Sequence, residues 1–240
     1  MVWNRWTTSR QSHKNGQYVI KADKGRRWVI GDIHGYAATF KTLLKKIKLQ
    51  EEDQLFLLGD YINKGPDSKE VLDTIIRLRK QGYQVYALKG NHEEELIQAL
   101  LKTEGKIPTR YRHLRLENKE GMIKQKYWKM LTDMPYYIET EGFYMVHAGF
   151  NLDEGNPLVD LGAMLKIRNH GDIRYWGISK RRKVLVGHTP VPLNEIHHRI
   201  HERSPIIILD NGVASHRNGY GRLLALDIDR WKLQCQEHKG

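Results

Sequence analysis

The chain has 240 residues, 40% of them apolar, enough to bury one large core or two small ones. Its formal charge is +12, from 40 basic against 28 acidic residues, so an anionic partner is expected: nucleic acid, a phosphorylated protein or a polyphosphate. Cys235 is the only cysteine, which excludes an internal disulfide, and the absence of any long apolar run leads us to expect a soluble, cytoplasmic chain with no membrane span and no secretory leader.

Residues 1–25 carry Trp3 and Trp6 among polar residues with little periodicity, and read as a peripheral extension or short edge strand. RWVIG (27–31) reads as a buried strand running into DIHG. FKTLLKKIKL then places Phe40, Leu43, Leu44 and Ile47 at helical spacing, with lysines on the other face. The pattern repeats. QLFLLG (54–59) is strand-like and runs into Asp60, and SKEVLDTIIRLRKQG carries Val71, Leu72, Ile75, Ile76 and Leu78 on one helical face, with Gly82 as a stop. YQVYALKG (83–90) is a third strand, ending at Asn91 and His92. Two successive strand–helix–strand units imply a parallel sheet with helices packed on it.

Residues 96–134 are expected to be helical and rich in charge. Within them RYRHLRLENK (110–119) is a basic run with interleaved aromatics, expected as a solvated face, with the border of a substrate cleft as the alternative. From 136 the pattern turns to strands: YYIE, FYMVHAG, KVLVGHTP (183–190), IIILDNG (206–212) and RLLALDI (222–228). The last two, joined by a Gly-rich turn, are expected to form a hairpin. HHRIH (197–201) and KRRK (180–183) read as solvated surface, and Trp128, Tyr136 and Tyr137 as core or core-edge aromatics. With no internal repeat or linker, a single domain over 1–240 is expected.

Five strand-like runs stop at polar clusters: GDIHG (31–35), GDYINKG (59–65), GNHE (90–93), HAG (147–149) and GHTP (187–190). In open α/β folds ligands gather beyond the carboxyl ends of strands, so these loops are able to converge. One such cluster alone is an ordinary turn. Four histidines, two aspartates and an asparagine, each after an apolar strand, are better explained as ligands. Oxygen and imidazole donors without thiolates fit manganese, iron(II) or zinc in a reactive site.

In this order the motifs resemble the calcineurin-like metallophosphoesterases, and within them the bacterial and phage-type phosphoprotein phosphatase branch, from about residue 27 to 228. The resemblance implies an α/β fold of two mixed sheets packed as a sandwich and flanked by helices. It also implies two divalent metal ions, manganese first, with iron and zinc as alternatives. Asp32, His34 and Asp60 would hold the first ion. Asp60 would bridge to the second, held further by Asn91, His147 and His188, with His92 as general acid. A hydroxide bridging the two ions would attack phosphorus in line. Asn91, Lys64, Lys89 and Arg168, the last in LKIRN, would bind the substrate phosphate. Two of these clamps are lysines where the family usually has arginines, which exchanges a planar fork for a point charge.

The larger departure is Asn63, where that branch usually has an aspartate hydrogen-bonded to the acid histidine. Asn63 is expected to keep the ring oriented by accepting a hydrogen bond, but it lacks the charge that favours the imidazolium. A weaker general acid matters least for a good leaving group. The order of expectation is a phosphomonoesterase or serine/threonine protein phosphatase first, and a symmetrical dinucleoside polyphosphate hydrolase second. A non-catalytic basic binding module that has kept the fold is third. The expected partner is accordingly a phosphorylated protein, a small phosphate ester or a nucleotide, with no specific nucleic-acid binding.

Overall fold

The computed structural model describes residues 15–153, 156–168 and 182–239. Trp3, Trp6 and the first two residues of KRRK lie outside them. The chain enters through β1 (Gly16–Val19), which adds in parallel to the edge of a sheet built much later, so the expected edge strand occupies these four residues. β2 (Arg27–Ile30), β3 (Gln54–Leu57) and β4 (Gln84–Ala87) then pair in parallel, each residue of β2 facing one of β3 in register. The two crossovers are α1 (Ala37–Lys46) and α2 (Ser68–Lys80). The Asp67 side chain accepts from the Glu70 N–H at 3.1 Å and starts α2, while Arg77, Arg79 and Lys80 complement the carbonyl end of the same helix.

After α3 (Asn91–Lys102), a short 3₁₀ helix (Thr109–Leu114) and α4 (Gln125–Thr132), the chain builds a second sheet. β5 (Tyr137–Thr140) and β6 (Phe143–Val146) are antiparallel. β7 (Lys183–Val186) and β8 (Ile206–Ile208) then add in parallel, β7 after α5 (Leu161–Lys166) and β8 after α6 (Leu193–His201). The order is β1-β5-β6-β7-β8.

The expected hairpin between IIILDNG and RLLALDI does not form. β8 closes the second sheet, whereas β9 (Arg222–Asp227) crosses to the first, pairing antiparallel with β2 on one side and with β10 (Lys232–Glu237) on the other. Asn211 diverts the chain: its Nδ2 donates to the carbonyls of Val191 (3.0 Å) and Gly219 (2.9 Å), so the Gly-rich segment wraps the GHTP loop instead of reversing on itself. An isolated antiparallel bridge joins Asn211 to Arg222, whose N–H also donates to Asn211 Oδ1 at 3.2 Å.

Alternation along the strands builds the layers. Val29, Phe56, Leu58, Met145, Leu185, Ile207, Leu224 and Leu226 fill the space between the sheets. Trp28, Ile30, Leu55 and Leu57 face the other way, onto Phe40, Leu43, Val71, Leu72 and Ile75 of α1 and α2. On the outer face of the second sheet Tyr144, Val146, Val184 and Val186 meet Met164 of α5. Both faces of each central strand are covered, which is why these strands read as unbroken apolar runs. Tyr137 is buried in that outer layer, and Tyr136 and Trp128 sit half-buried at core edges. HHRIH lies on α6, where Ile196 and Ile200 are buried while His197, His198 and His201 face outward. Arg182 pairs with Glu139 at 2.9 Å.

Candidate metal and phosphate site

β2, β3, β4, β6 and β7 all end on the same side of the sandwich, and their five exits interlock. The carbonyl of Asp60 accepts from the N–H groups of Ile33 (3.0 Å) and His34 (2.8 Å), and the Gly187 N–H donates to the carbonyl of His147 at 2.8 Å. These turns are too sharp for ordinary backbone. His34, Asp60, Asn63, Lys64 and His188 all sit at positive φ, between 47° and 68°, a left-handed conformation that costs a non-glycine residue energy and is held here by the surrounding hydrogen bonds. Two glycines make room for the carboxylates. A methyl group at Gly90 would overlap Asp60 Oδ1, and one at Gly187 would overlap Asp32 Oδ1.

The side chains so placed are acceptors facing acceptors. His147 Nδ1 donates to the carbonyl of Leu58 at 2.9 Å, which leaves Nε2 as a bare lone pair. That nitrogen lies 3.0 Å from Asn91 Oδ1 and 3.5 Å from Asp60 Oδ1. His188 Nδ1 lies 3.0 Å from the same Asn91 oxygen. On the other side of Asp60, His34 Nδ1 faces the carbonyl of Ile62 at 3.3 Å, so its Nε2 lone pair points at Asp60 Oδ2 (3.6 Å) and Asp32 Oδ2 (3.8 Å). Two donor groups result, His34–Asp60–His92 and Asp60–His147–His188, with Asp60 common to both. The Lys64 ammonium, 2.7 Å from His34 Nε2, meets one of these lone pairs; the close approach of the His147 Nε2 lone pair to Asp60 Oδ1 and Asn91 Oδ1 is repulsive without a cation between them. This donor chemistry fits divalent metal ions.

Burial acts on the enclosed carboxyls Asp32 and Asp60 and on the imidazoles of His34, His147 and His188. It pushes Asp60 up to about 6, against the charge and the backbone N–H of His92. It holds Asp32 well above the usual carboxylate range, reinforced by the charges of Asp210 and Asp60. It drives His147 down to about 4 and His188 to about 3, the latter helped by the charges of His147 and Arg168. His34 is also held well below its ordinary value by burial and by Lys64. The imidazoles are therefore neutral ligands at physiological pH, and the carboxyls gain most from a cation.

His92 stands at the start of α3, with Asn63 Nδ2 2.7 Å from its Nδ1. The amide thus meets the ring with its nitrogen, whereas the sequence led us to expect an accepting oxygen. On the far side of Asn63 its Oδ1 lies 3.2 Å from His113 Nε2. His113 belongs to the basic run 110–119, so this segment borders the cleft instead of being only a solvated face. Lys64 reaches the donor cluster, its Nζ 2.7 Å from His34 Nε2. Arg168 is exposed near the rim, where its charge acts on His188 and on Asp210. Lys89 is turned elsewhere: its buried ammonium pairs with Glu94 at 3.3 Å and lies over the Tyr136 ring at 4.6 Å.

Two buried carboxyls escaped notice in the sequence. Glu93 accepts from the backbone N–H groups of Asp60, Tyr61 and Gly90 at 2.9, 2.9 and 3.0 Å, and so ties the second loop to the third. Burial, with the charge of Asp60, pushes it up to about 8. Its signal is the fourth letter of GNHE. Asp210 follows β8 and accepts from the Gly212 N–H at 2.7 Å, and burial pushes it up to about 6. It meets Asp32 because Gly31 lets the carbonyl of Leu209 pack against β2. Its signal, an Asp ending an apolar strand, was masked by reading a hairpin there.

The family model of the calcineurin-like phosphoesterases matches residues 25–215. Relatives named symmetrical bis(5'-nucleosyl)-tetraphosphatase are similar in sequence. The one from Wigglesworthia glossinidia brevipalpis is 38% identical over 71 residues, 29% of this chain and 25% of that protein. The one from Chromobacterium violaceum is 34% identical over 127 residues, 51% of this chain and 42% of that protein. The chain thus spans less than half the length of these relatives. Among solved structures, a candidate diadenosine tetraphosphatase superposes with a TM-score of 0.61 at 19% identity, covering 94% of this chain and 99% of that one. A protein serine/threonine phosphatase from Saccharomyces cerevisiae superposes with a TM-score of 0.63 at 14% identity, covering 90% and 81%. These structures share the two-sheet α/β fold with helices on the flanks.

Proposed function

Because the chain belongs to the calcineurin-like phosphoesterase family, we propose that it is a metal-dependent hydrolase that cleaves a phosphoanhydride bond in a dinucleoside polyphosphate. This reading displaces the phosphomonoester and phosphoprotein substrates that the motifs first brought forward. The observation that carries it is the amide of Asn63 against His92 Nδ1, in the place of a carboxylate. An amide nitrogen donating to Nδ1 leaves Nε2 as the ring position that offers a proton, and supplies no negative charge to strengthen the imidazolium. The alkoxide of a phosphorylated serine needs a full proton as it leaves. A nucleoside diphosphate leaves as a stabilised anion and does not. The relatives named as tetraphosphatases agree with this choice.

Two divalent cations, one on each side of Asp60, would supply Lewis-acid charge and a nucleophilic water. The chain's own groups then have separate tasks. Asp60 serves both donor groups, and Asp32, His34, Asn91, His147 and His188 complete them. Lys64 and Arg168 hold phosphoryl oxygens that face away from the metals. Lys89, engaged by Glu94, is left to steady the start of α3. His113 brings the basic run 110–119 up to Asn63, and the positive charge of that run would attract the additional negative charge that a polyphosphate carries beyond the reacting phosphorus.

The test is a substrate series on the manganese-loaded protein, comparing kcat/KM for a dinucleoside tetraphosphate, a mononucleotide, an aryl phosphate and a phosphopeptide. The tetraphosphate should lead by about tenfold or more, with two nucleoside diphosphates as products. A phosphopeptide in first place would overturn the proposal.

A further inference from the structure

An amide differs from a carboxylate in having one donating and one accepting end. A carboxylate beside His92 would accept from Nδ1 whichever oxygen faced the ring. Asn63 has two orientations related by a half-turn, and they demand opposite tautomers of His92. With Oδ1 toward the ring, Nδ1 must carry the proton and Nε2 is bare. With Nδ2 toward the ring, Nδ1 accepts and the neutral ring keeps its proton on Nε2. Of the two neutral tautomers, only the second presents a proton to the donor cluster, where His92 Nε2 lies 3.8 Å from Asp60 Oδ2.

The choice is made outside the cluster. Asn63 Nδ2 lies 2.7 Å from His92 Nδ1, and Asn63 Oδ1 lies 3.2 Å from His113 Nε2. We propose that His113 is a positioning residue: its Nε2–H donates to Asn63 Oδ1, turns the amide nitrogen toward His92 and so keeps the His92 proton on Nε2. His113 sits 50 residues away in sequence, on the 3₁₀ helix, and touches Asn63 and not the donor cluster itself. The backbone of Asn63 is held independently, at φ 68° with its N–H donating to Ser68 Oγ at 3.0 Å, so the side-chain amide is the part free to turn. A protonated His113 is able only to donate, and a neutral ring with its proton on Nε2 acts in the same sense. Losing the His113 ring leaves the amide two orientations of similar energy, and part of the population without a proton at Nε2.

The inference rests on the hydrolase reading, since it concerns the proton that His92 offers to a leaving group. Its test does not depend on which substrate is natural. The zinc-loaded, ¹⁵N-histidine-labelled protein is used, and the ring nitrogens of His92 are read by NMR. The expected result is His92 protonated on Nε2 in the unaltered chain, with Nδ1-protonated ring appearing in His113→Ala and the Nε2 form restored in His113→Lys, whose ammonium is able only to donate. With an alkyl phosphate, His113→Ala should lower kcat by about tenfold at nearly constant KM. In an Asn63→Asp background the same substitution should change kcat less than about twofold, because a carboxylate has no orientation to lose. A His92 ring protonated on Nδ1 in the unaltered chain overturns the inference. So does an equal effect of His113→Ala in both backgrounds. If dinucleoside tetraphosphates are not cleaved while His92 shows the expected tautomer, the substrate reading fails and this one stands.

Discussion

Glu93 Oε2 accepts a hydrogen bond from the backbone N–H of Asp60 at 2.9 Å, and its Oε1 accepts from that of Tyr61 at the same distance. The same Oε2 takes the Gly90 N–H at 3.0 Å. The carboxyl thus fastens the loop that aims Asp60 to the loop that aims Asn91 and His92. Replacing it by an amide puts a donor against backbone donors. Glu93→Gln should therefore destabilise the chain by roughly 2–3 kcal/mol through unpaired buried N–H groups. It should also weaken metal binding by about 10–100-fold, as loss of a supporting contact behind a ligand does. Thermal melting and metal titration check the two effects separately. A variant with wild-type melting and affinity would contradict the tie.

Asp60 is the one carboxylate common to both donor groups. Asp60→Asn keeps the size and one acceptor oxygen but removes the charge that serves two cations at once. Both cations should be lost from the purified protein, as measured by metal analysis, and turnover should fall to background. The fold should survive, because the Asp60 backbone carbonyl, which the Ile33 and His34 N–H groups need, is untouched. Full activity with bound metal would remove the shared-ligand arrangement.

Asn63→Asp restores a carboxylate beside His92 Nδ1 and within reach of His113. It should raise kcat for an alkyl phosphate by about tenfold, since that leaving group needs a proton, and leave a dinucleoside tetraphosphate nearly unchanged. The ratio between the two substrates is the measurement. Equal gains on both would mean that Asn63 acts on binding and not on proton delivery.

The strand-end clusters were legible because apolar strands stop abruptly at polar residues, and the metal and acid roles expected there came from the resemblance carried by the ordered motifs. Asp32, Asp60, His147 and His188 each open such a cluster, and the parallel β2-β3-β4 unit followed from the helical faces of Phe40 and Val71 between the strands. What was not legible depends on tertiary contacts. Asp210 ends a strand too, but the short loop after it resembled a hairpin turn. Nothing local reveals that Asn211 bonds back to Val191 and sends β9 into the other sheet. Glu93 stood inside a recognised motif, yet its partners are backbone N–H groups some thirty positions earlier, which carry no sequence signal. His113 was hidden by its neighbours: a histidine among arginines reads as surface charge until the fold sets it against Asn63. The orientation of the Asn63 amide follows from that contact, so the sequence alone pointed to the opposite one.

Away from the cleft, Asp73 on α2 links α2 to α4. It accepts from Lys126 Nζ (2.5 Å) and Lys69 Nζ (2.6 Å), and from the hydroxyl of Tyr127 at 3.0 Å. Burial opposes its ionisation, but these three hydrogen bonds outweigh it and bring the carboxyl down to about 2. Because the unfolded chain holds this proton near pH 4, the folded state binds fewer protons in between. The stabilisation is therefore complete above about pH 4 and disappears as the pH falls through about 2. Asp73→Asn should lower stability at neutral pH by roughly 1 kcal/mol, with the two lysines half in solvent and screened. The gap between variant and wild type should narrow on acidification and in high salt. Denaturant melts across that pH range measure it, and a gap that stays constant down to pH 2 would place the effect in packing instead of charge.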